Sequence, residues 1–317
     1  MIPATACEKI IHGTRESGGI TIPRRAVHGV LLLDKPVGMT SNQALQSVKR
    51  IFNARKAGHT GSLDPLASGL LPLCFGEATK VSAFLLDADK EYAVQCRLGI
   101  RTTTADAEGD VLETCMLPTL TRTHIEQVFE QFCGEILQIP PMYSALKYQG
   151  KRLYDLAREG IEVPRKPRSV TIYSLTLTAY SKDSLEFTVR CSKGTYVRTL
   201  VEDLARAFGS CGHVSALRRT TVGPYTNMHG LEKLQQAYMD NEALDSLLLP
   251  IDSALAHWPQ VHMGVDAVWY FLKGQAVMVP GAPTSGWLRA YGDGRFLGLA
   301  EVLQDGRVTP RRLMNLD

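Results

Sequence analysis

The chain has 317 residues, of which 44% are hydrophobic and 21% are charged, and its formal net charge is +3. This is globular composition, which excludes a disordered polymer and a fibrous repeat, and the length predicts one large and one small domain. No run approaches the roughly 18 apolar residues of a membrane helix, and no signal-peptide core precedes His28, so we expect a cytoplasmic protein without membrane contacts.

The first elements read clearly from the pattern. Residues 1–27 have no apolar period and are predicted to form a mobile tail. The run Val27–Asp34 predicts a buried strand, and Thr40 with Gln43 forms a capping box that opens a helix. The glycine-rich stretch 58–69 then predicts a loop on a rigid scaffold.

The middle of the chain alternates strands with polar loops. Residues 91–98 predict a strand with Tyr92 on its apolar face, and residues 102–109 predict a loop. Thr123 and Glu126 form a second capping box that predicts a helix start. Residues 138–168 form a long, basic and irregular excursion, which is usually functional.

The last part of the large domain is predicted to pair strands 170–180 and 185–191, followed by a helix after Gly194. Residues 217–222 predict a strand, and residues 232–249 predict a helix. Regularly spaced glycines in residues 251–317 predict a small β-barrel. The mixed order of elements predicts an α+β fold with a largely antiparallel sheet.

The cysteines do not suggest a metal site. They are odd in number, they are scattered singly, and no pair has zinc-ligand spacing. We therefore expect reduced thiols and no structural metal. The cysteines are Cys7, Cys74, Cys96, Cys115, Cys133, Cys191 and Cys211.

Two stretches concentrate positive charge. Residues 138–170 carry seven basic and three acidic residues, and residues 190–219 carry six basic and two acidic residues. Tyr143, Tyr148 and Tyr154 lie among the first set, and aromatic faces between basic residues suit unpaired bases. On charge alone, a nucleic-acid surface and a solvated helix face remain equal alternatives.

Four single residues are candidates for chemistry, and each has a structural alternative. Asp64 is the one carboxylate of the glycine-rich loop, but an aspartate before proline is also a common turn residue. The structural alternative is an ordinary surface arginine for Arg198, core packing for Tyr92, and a loop histidine for His59.

The order and spacing of several blocks go further than these residues do singly. From about Gly29 to the C-terminus, the chain resembles the bacterial TruB family of tRNA pseudouridine-55 synthases. The blocks that carry the resemblance are KPVGMTSNQAL, GHTGSLDPLASGLLPLCFGEATK, DKEYAVQCRLG, QIPPMYSALKYQGKRLYDLAREGIEVPR and CSKGTYVRTLVEDL.

The resemblance implies roles for individual residues. It implies that Asp64, Tyr92 and Arg198 form the catalytic set, that His59 enters the RNA loop, and that Leu217 packs beside the target base. It also implies that residues 138–168 are a basic thumb. Within the family's acidic loop, Asp106 is retained, whereas Thr103 and Glu108 replace aspartates, which puts the outer contacts of that loop in doubt. The substrate-binding candidates are His59, Leu217, Asp106, Lys147, Lys151, Arg152 and Tyr143.

The resemblance also implies the whole activity. A pseudouridine-synthase domain over residues 28–250 and a PUA-like RNA-binding barrel over residues 251–317 would act together as a monomer. They would convert uridine 55 in the T stem-loop of tRNA, with no cofactor, metal or obligatory protein partner. A non-enzymatic RNA chaperone, a subunit of a guide-RNA-dependent synthase, and a glycosidase are the alternatives. A glycosidase would need two carboxylates at a controlled separation, and only Asp64 stands out.

Overall fold

The computed structural model describes residues 23–316, in which a large mixed sheet carries most of the helices on one face. The helices are α1 Ser41–Ile51, α2 Ser82–Asp87, α3 Arg122–Phe132, α4 Leu153–Arg158, α5 Val197–Ala207, α6 Leu231–Met239 and α7 Val265–Leu272. The strands are β1 Gly29–Lys35, β2 Ala57–His59, β3 Ser68–Phe75, β4 Lys90–Leu98, β5 Ile100–Thr102, β6 Val111–Thr114, β7 Gly134–Gln138, β8 Lys147–Tyr148, β9 Lys151–Arg152, β10 Arg168–Tyr180, β11 Ser184–Cys191, β12 Gly212–Val222, β13 His229–Gly230, β14 Gln260–Met263, β15 Gly286–Gly292, β16 Arg295–Val302 and β17 Val308–Leu313.

The large sheet confirms the predicted α+β class. Its strand order is β13-β1-β3-β12-β4-β11-β10-β7, with β2 beside β3, and its neighbours are antiparallel except β1 with β13 and β3 with β12. One main core fills the space between this sheet and helices α1, α3, α5 and α6. The alternation of β4 turns Val94, Cys96 and Leu98 into that core, as predicted.

The C-terminal part forms a separate four-stranded sheet in the order β14-β15-β16-β17. Its two outer strands do not pair with each other, so the sheet is open where a closed barrel was predicted. A second core joins this part to the large sheet: Leu299 and Met314 pack with Leu32 and Leu70. Lys80 also donates to the Leu313 carbonyl at 2.7 Å, so the two parts share buried surface and hydrogen bonds.

Three local predictions need correction. Helix α3 begins after Thr121, whose side chain accepts a hydrogen bond from the His124 amide, and not after Thr123. The predicted helix 232–249 ends at Met239, because Asn241 takes a left-handed conformation with φ of 53° and turns the chain. The first 22 residues of the predicted tail lie outside the described residues, but Val27 is buried and Arg25 pairs with Asp245.

The cysteine prediction is wrong for one pair. Cys115 and Cys211 form a disulfide, with Cα atoms 5.8 Å apart and a sequence separation of 96. With Glu113 they also form the one three-donor group that could hold a metal ion in residues 23–316, but both sulfurs are already bonded to each other. Within the same residues, no helix is both long and apolar enough to cross a membrane.

Candidate active site

The glycine-rich loop between β2 and β3 is held at several backbone positions. Ser41, at the start of α1, donates to the Leu63 carbonyl at 3.0 Å and accepts from the Leu63 amide at 2.7 Å. The Gly38 amide donates to the Pro65 carbonyl at 2.8 Å. The loop is therefore fixed on both sides of Asp64, as the prediction of a rigid scaffold requires.

Gly69 shows why the loop needs glycine at its end. Its φ is +99°, and a Cβ there would lie 2.2 Å from the Arg219 carbonyl oxygen. The glycine thus permits the close approach of β12 to β3, not the approach of a ligand.

Asp64 and Arg198 form the centre of the site. Arg198 Nε lies 3.0 Å from Asp64 Oδ2, and the Asp64 side chain keeps 44% of its surface exposed. Burial raises the pKa of Asp64 above its usual value, and the positive charge of Arg198 offsets part of that effect. An arginine that orients one half-exposed carboxylate leaves that carboxylate able to reach a substrate.

Arg198 is itself held by the elements around it. Its Nη1 lies 3.5 Å from the buried Asp106 carboxylate and donates to the Thr104 carbonyl at 2.8 Å. Its Nη2 donates to the Tyr143 carbonyl at 2.7 Å. The surface-arginine interpretation of Arg198 is therefore wrong, because its side chain is only 8% exposed and makes contacts with three separate segments.

Asp106 supports this arrangement from the loop between β5 and β6. Its carboxylate accepts from the Thr104 hydroxyl and from the Glu108 amide. Glu108 is thus held in the loop through its backbone amide. Burial raises the pKa of Glu108, and the negative charges of Asp106 and Asp64 raise it further. Thr103 Oγ1 accepts from the Asp110 amide, so this substituted position still closes the loop.

Tyr92, His59 and Leu217 lie on three strands of the large sheet, β4, β2 and β12. Tyr92 on β4 is half-buried against the main core, and Leu217 on β12 is buried, with Val94 as its partner across the strands. His59 ends β2 with a buried Nδ1 that has no hydrogen-bond partner, and burial lowers its pKa, which favours the neutral ring. Their roles toward a substrate remain predictions.

The thumb stands apart as a small unit with its own apolar core. Leu153, Leu156 and Val163 form that core within residues 138–168. The β8–β9 hairpin presents three exposed basic side chains, and the base of the thumb reaches the site through the Tyr143 carbonyl. The three side chains are those of Lys147, Lys151 and Arg152.

The positive charges of the second basic stretch, residues 190–219, are largely buried or paired with carboxylates. Arg198 and Arg219 are buried, and other members are paired, such as Lys193 with Asp87 and Arg218 with Asp34. The charge count over residues 190–219 therefore overstated the area open to a polyanion, whereas the count over the thumb stands.

Sequence analysis missed two buried cations near Asp64. Lys35, fully buried at the end of β1, donates to the Pro36 and Met39 carbonyls at 2.8 and 2.7 Å, and burial lowers its pKa to about 8. Arg219 on β12 is 1% exposed. A lysine two positions after the apolar run Val30–Leu33 was the signal for the first, whereas local sequence held none for Arg219.

A cavity of about 630 Å³ lies between the thumb, α5 and the β5–β6 loop. Thr104 and Tyr143, whose carbonyls hold Arg198, line it, but Asp64 and Tyr92 do not. The predicted catalytic residues Asp64, Tyr92 and Arg198 thus do not line this cavity.

Comparisons with known proteins identify the family of this chain. The profile "TruB family pseudouridylate synthase (N terminal domain)" matches residues 49–197, and two C-terminal TruB profiles match residues 198–256 and 259–314. A protein of Nitrosococcus oceani named tRNA pseudouridine synthase B is 56% identical, covering 91% of this chain and 95% of its own. A Coxiella burnetii protein of the same name is 52% identical, covering 92% and 96%.

Solved structures give the same fold. The archaeal box H/ACA sRNP Nop10–Cbf5 complex matches with a TM-score of 0.68 and 25% identity, over 92% of this chain and 88% of the other. A Cbf5–Nop10–Gar1 complex matches with the same TM-score over 96% and 95%. From the profiles, the curated relatives and the shared fold, this chain belongs to the TruB family of pseudouridylate synthases.

Proposed function

We propose that this protein isomerises uridine to pseudouridine in tRNA, at position 55 of the T loop. The observation that carries the proposal is the half-exposed Asp64 carboxylate held 3.0 Å from the Arg198 guanidinium, within a chain that shares more than half its residues with tRNA pseudouridine synthase B of Nitrosococcus oceani. The reaction breaks the N1–C1′ bond, turns the base, and joins C5 to C1′ with loss of the C5 proton. It is redox-neutral and has no need of a cofactor.

Asp64 acts at the sugar in this proposal. As an anion, it either attacks C1′ as a nucleophile or removes the 2′ proton to leave a glycal, and the electron pair of the N1–C1′ bond goes to the base in both routes. Arg198 keeps the carboxylate ionised and oriented. Tyr92 stacks on the base and takes part in loss of the C5 proton, while His59 fills the space that the flipped base leaves.

The pH dependence of the reaction follows from the environment of Asp64. Because burial raises its pKa, we expect the acid limb of the rate profile to have an apparent pKa above the ordinary aspartate value of about 3.9. The active form is the anion, so the rate falls as the pH drops through that value. Single-turnover rates on saturating tRNA across the acid range measure it. A limb at or below the ordinary value would contradict the assignment.

The thumb binds RNA phosphates in this proposal, and salt dependence tests it. Each of Lys147→Ala, Lys151→Ala and Arg152→Ala is expected to weaken tRNA binding and to reduce the slope of log K against log salt by about 1. Lys182→Ala, on the exposed turn between β10 and β11, serves as the matched control and should leave the slope unchanged. Equal slopes for the thumb variants and the control would remove the thumb from phosphate binding.

The alternatives differ in their need for the site and for other partners. A chaperone has no use for Asp64, Tyr92 and Arg198 together. A guide-dependent subunit works within an assembly, and Cbf5 has been solved in complexes with Nop10 and Gar1. The chain is about 25% identical to Cbf5 and 52–56% identical to proteins named tRNA pseudouridine synthase B, which favours an enzyme that acts alone. The proposal includes that this enzyme acts as a monomer in the cytoplasm, where tRNA is found.

One experiment tests the activity, its site and its independence together. Purified protein is incubated with a tRNA transcript that carries tritium at uridine C5, without added metal, guide RNA or protein, and the modified position is then mapped chemically. We expect tritium release that maps to uridine 55. Tight tRNA binding without release would overturn the enzymatic proposal, and release from another position would overturn the assignment of the T loop.

A further inference from the structure

Arg219 is a buried cation in the centre of the large sheet. It lies on β12, opposite Tyr92 of β4 on one side and Gly69 of β3 on the other, and its side chain is among the largest that are fully buried. Within residues 23–316, no carboxylate comes within 4.0 Å of its guanidinium to form an ion pair. Burial of an unpaired charge is costly, so its hydrogen bonds have to account for it.

Two of these bonds hold the ends of the glycine-rich loop. Nε of Arg219 donates to the Leu70 carbonyl at 2.7 Å, and Nη2 donates to the Gly61 carbonyl at 3.0 Å. Gly61 precedes Asp64 in the loop, and Leu70 follows it. One rigid guanidinium therefore spans the segment that carries the candidate catalytic carboxylate.

Arg219 is also the cross-strand partner of Tyr92 on β4, and its positive charge lowers the pKa of that phenol against the larger effect of burial. A guanidinium has donors and no acceptor, so the phenol oxygen is the acceptor in a hydrogen bond between these two groups. The proton of Tyr92 is then directed away from Arg219. One side chain thus binds the segment that carries Asp64 and lies directly across from Tyr92.

We propose that Arg219 is a positioning residue, which sets the distance between the Asp64 loop and Tyr92 and directs the Tyr92 hydroxyl toward the base. This inference rests on the proposed function. It adds a role that the exposed surface of the site does not reveal, because Arg219 acts from beneath the site and through other residues.

The surrounding charges support this role. The positive charge of Arg219 lowers the pKa of Tyr92, His59 and Lys35, although burial has the larger effect on each of them. The positive potential of Arg219 therefore extends across the site. When the N1–C1′ bond breaks, its electron pair goes to the uracil ring. A fixed positive charge behind the Tyr92 hydroxyl polarises that hydroxyl toward the electron-rich base.

The test compares substitutions on the same strand. Arg219→Lys keeps the charge, but one ammonium group cannot bind two carbonyls and a phenol with the geometry of the planar fork. We expect its single-turnover rate on saturating tRNA to fall about 100-fold, as for a misplaced catalytic group. Its affinity for tRNA should stay within about threefold, because Arg219 is fully buried and offers no surface to RNA. Arg218→Lys, the neighbour that pairs with Asp34 near the surface, is the control and should keep its rate.

A double-mutant cycle separates positioning from simple structural support. If Arg219 acts through Tyr92, Arg219→Lys should cost at least about tenfold less in a Tyr92→Phe background than in the wild type. Additive losses, or a folded Arg219→Lys protein with the wild-type rate, would overturn the inference. Tritium release by the wild type separates that result from a failure of the proposed function.

A second measurement uses protein that keeps Arg219, so it tests the inference even if Arg219→Lys does not fold. The guanidinium NMR signals of Arg219 are assigned by their contacts to β3. These signals are then compared between the wild type and Tyr92→Phe. We expect them to shift when the phenol oxygen is removed. Unchanged signals would show that no such bond exists and would equally overturn the inference.

Discussion

Asp64→Asn is expected to abolish turnover, with the single-turnover rate reduced by more than about 10³-fold. The amide has nearly the same shape and can still accept a hydrogen bond from Arg198, but it cannot ionise. It therefore neither attacks C1′ nor removes the 2′ proton. Because base flipping and phosphate contacts do not depend on this charge, affinity for tRNA should stay near that of the wild type.

Tritium release and tRNA binding, measured side by side, check this result. Asp183→Asn, in the turn between β10 and β11, is the matched control, since it also removes a carboxylate from an arginine partner, Arg97. We expect the control to retain activity. Appreciable release by Asp64→Asn would remove Asp64 from the chemistry in both routes.

Arg198→Met should have the second largest effect, with the rate reduced by about 100-fold or more. The change leaves the buried Asp106 carboxylate without its cation and releases the Thr104 and Tyr143 carbonyls, so we also expect a lower melting temperature. Arg198→Lys should recover part of the stability and little of the rate, because a lysine cannot make these contacts together.

The pH profile distinguishes loss of this cation from a general loss of structure. Arg198 lowers the pKa of Asp64, so its removal raises that pKa further, and the acid limb should move to higher pH. Arg206→Met is the control on the same helix, because Arg206 is exposed and pairs locally with Asp203. An unshifted acid limb in a folded Arg198→Met protein would show that Arg198 does not act on Asp64.

Sequence by itself determined the features that depend on neighbouring residues. The capping box of α1 closes between Thr40 and Gln43, which are three positions apart, and the alternation of β4 needs only its own side chains. Local rules were less able to decide between equivalent choices. Thr121 and Thr123 both have side chains that can cap a helix, and in the structure Thr121 is the residue that caps α3.

The candidate site was partly predictable, because the family resemblance linked residues that are far apart in the sequence. Asp64, Tyr92 and Arg198 lie in separate blocks, and their resemblance to one family named them together before any distance was known. The structure then brought Asp64 and Arg198 to 3.0 Å and supplied Asp106 and the Tyr143 carbonyl as further contacts of Arg198.

Only tertiary structure decided which charges and thiols are buried. Arg219 has the same local sequence character as the exposed Arg218 beside it, yet β12 lies between β3 and β4 and turns the Arg219 side chain inward. Cys115 and Cys211 meet across 96 positions for the same reason. Burial and pairing between distant segments depend on how strands are ordered in the sheet, and that order follows from the packing of the whole chain.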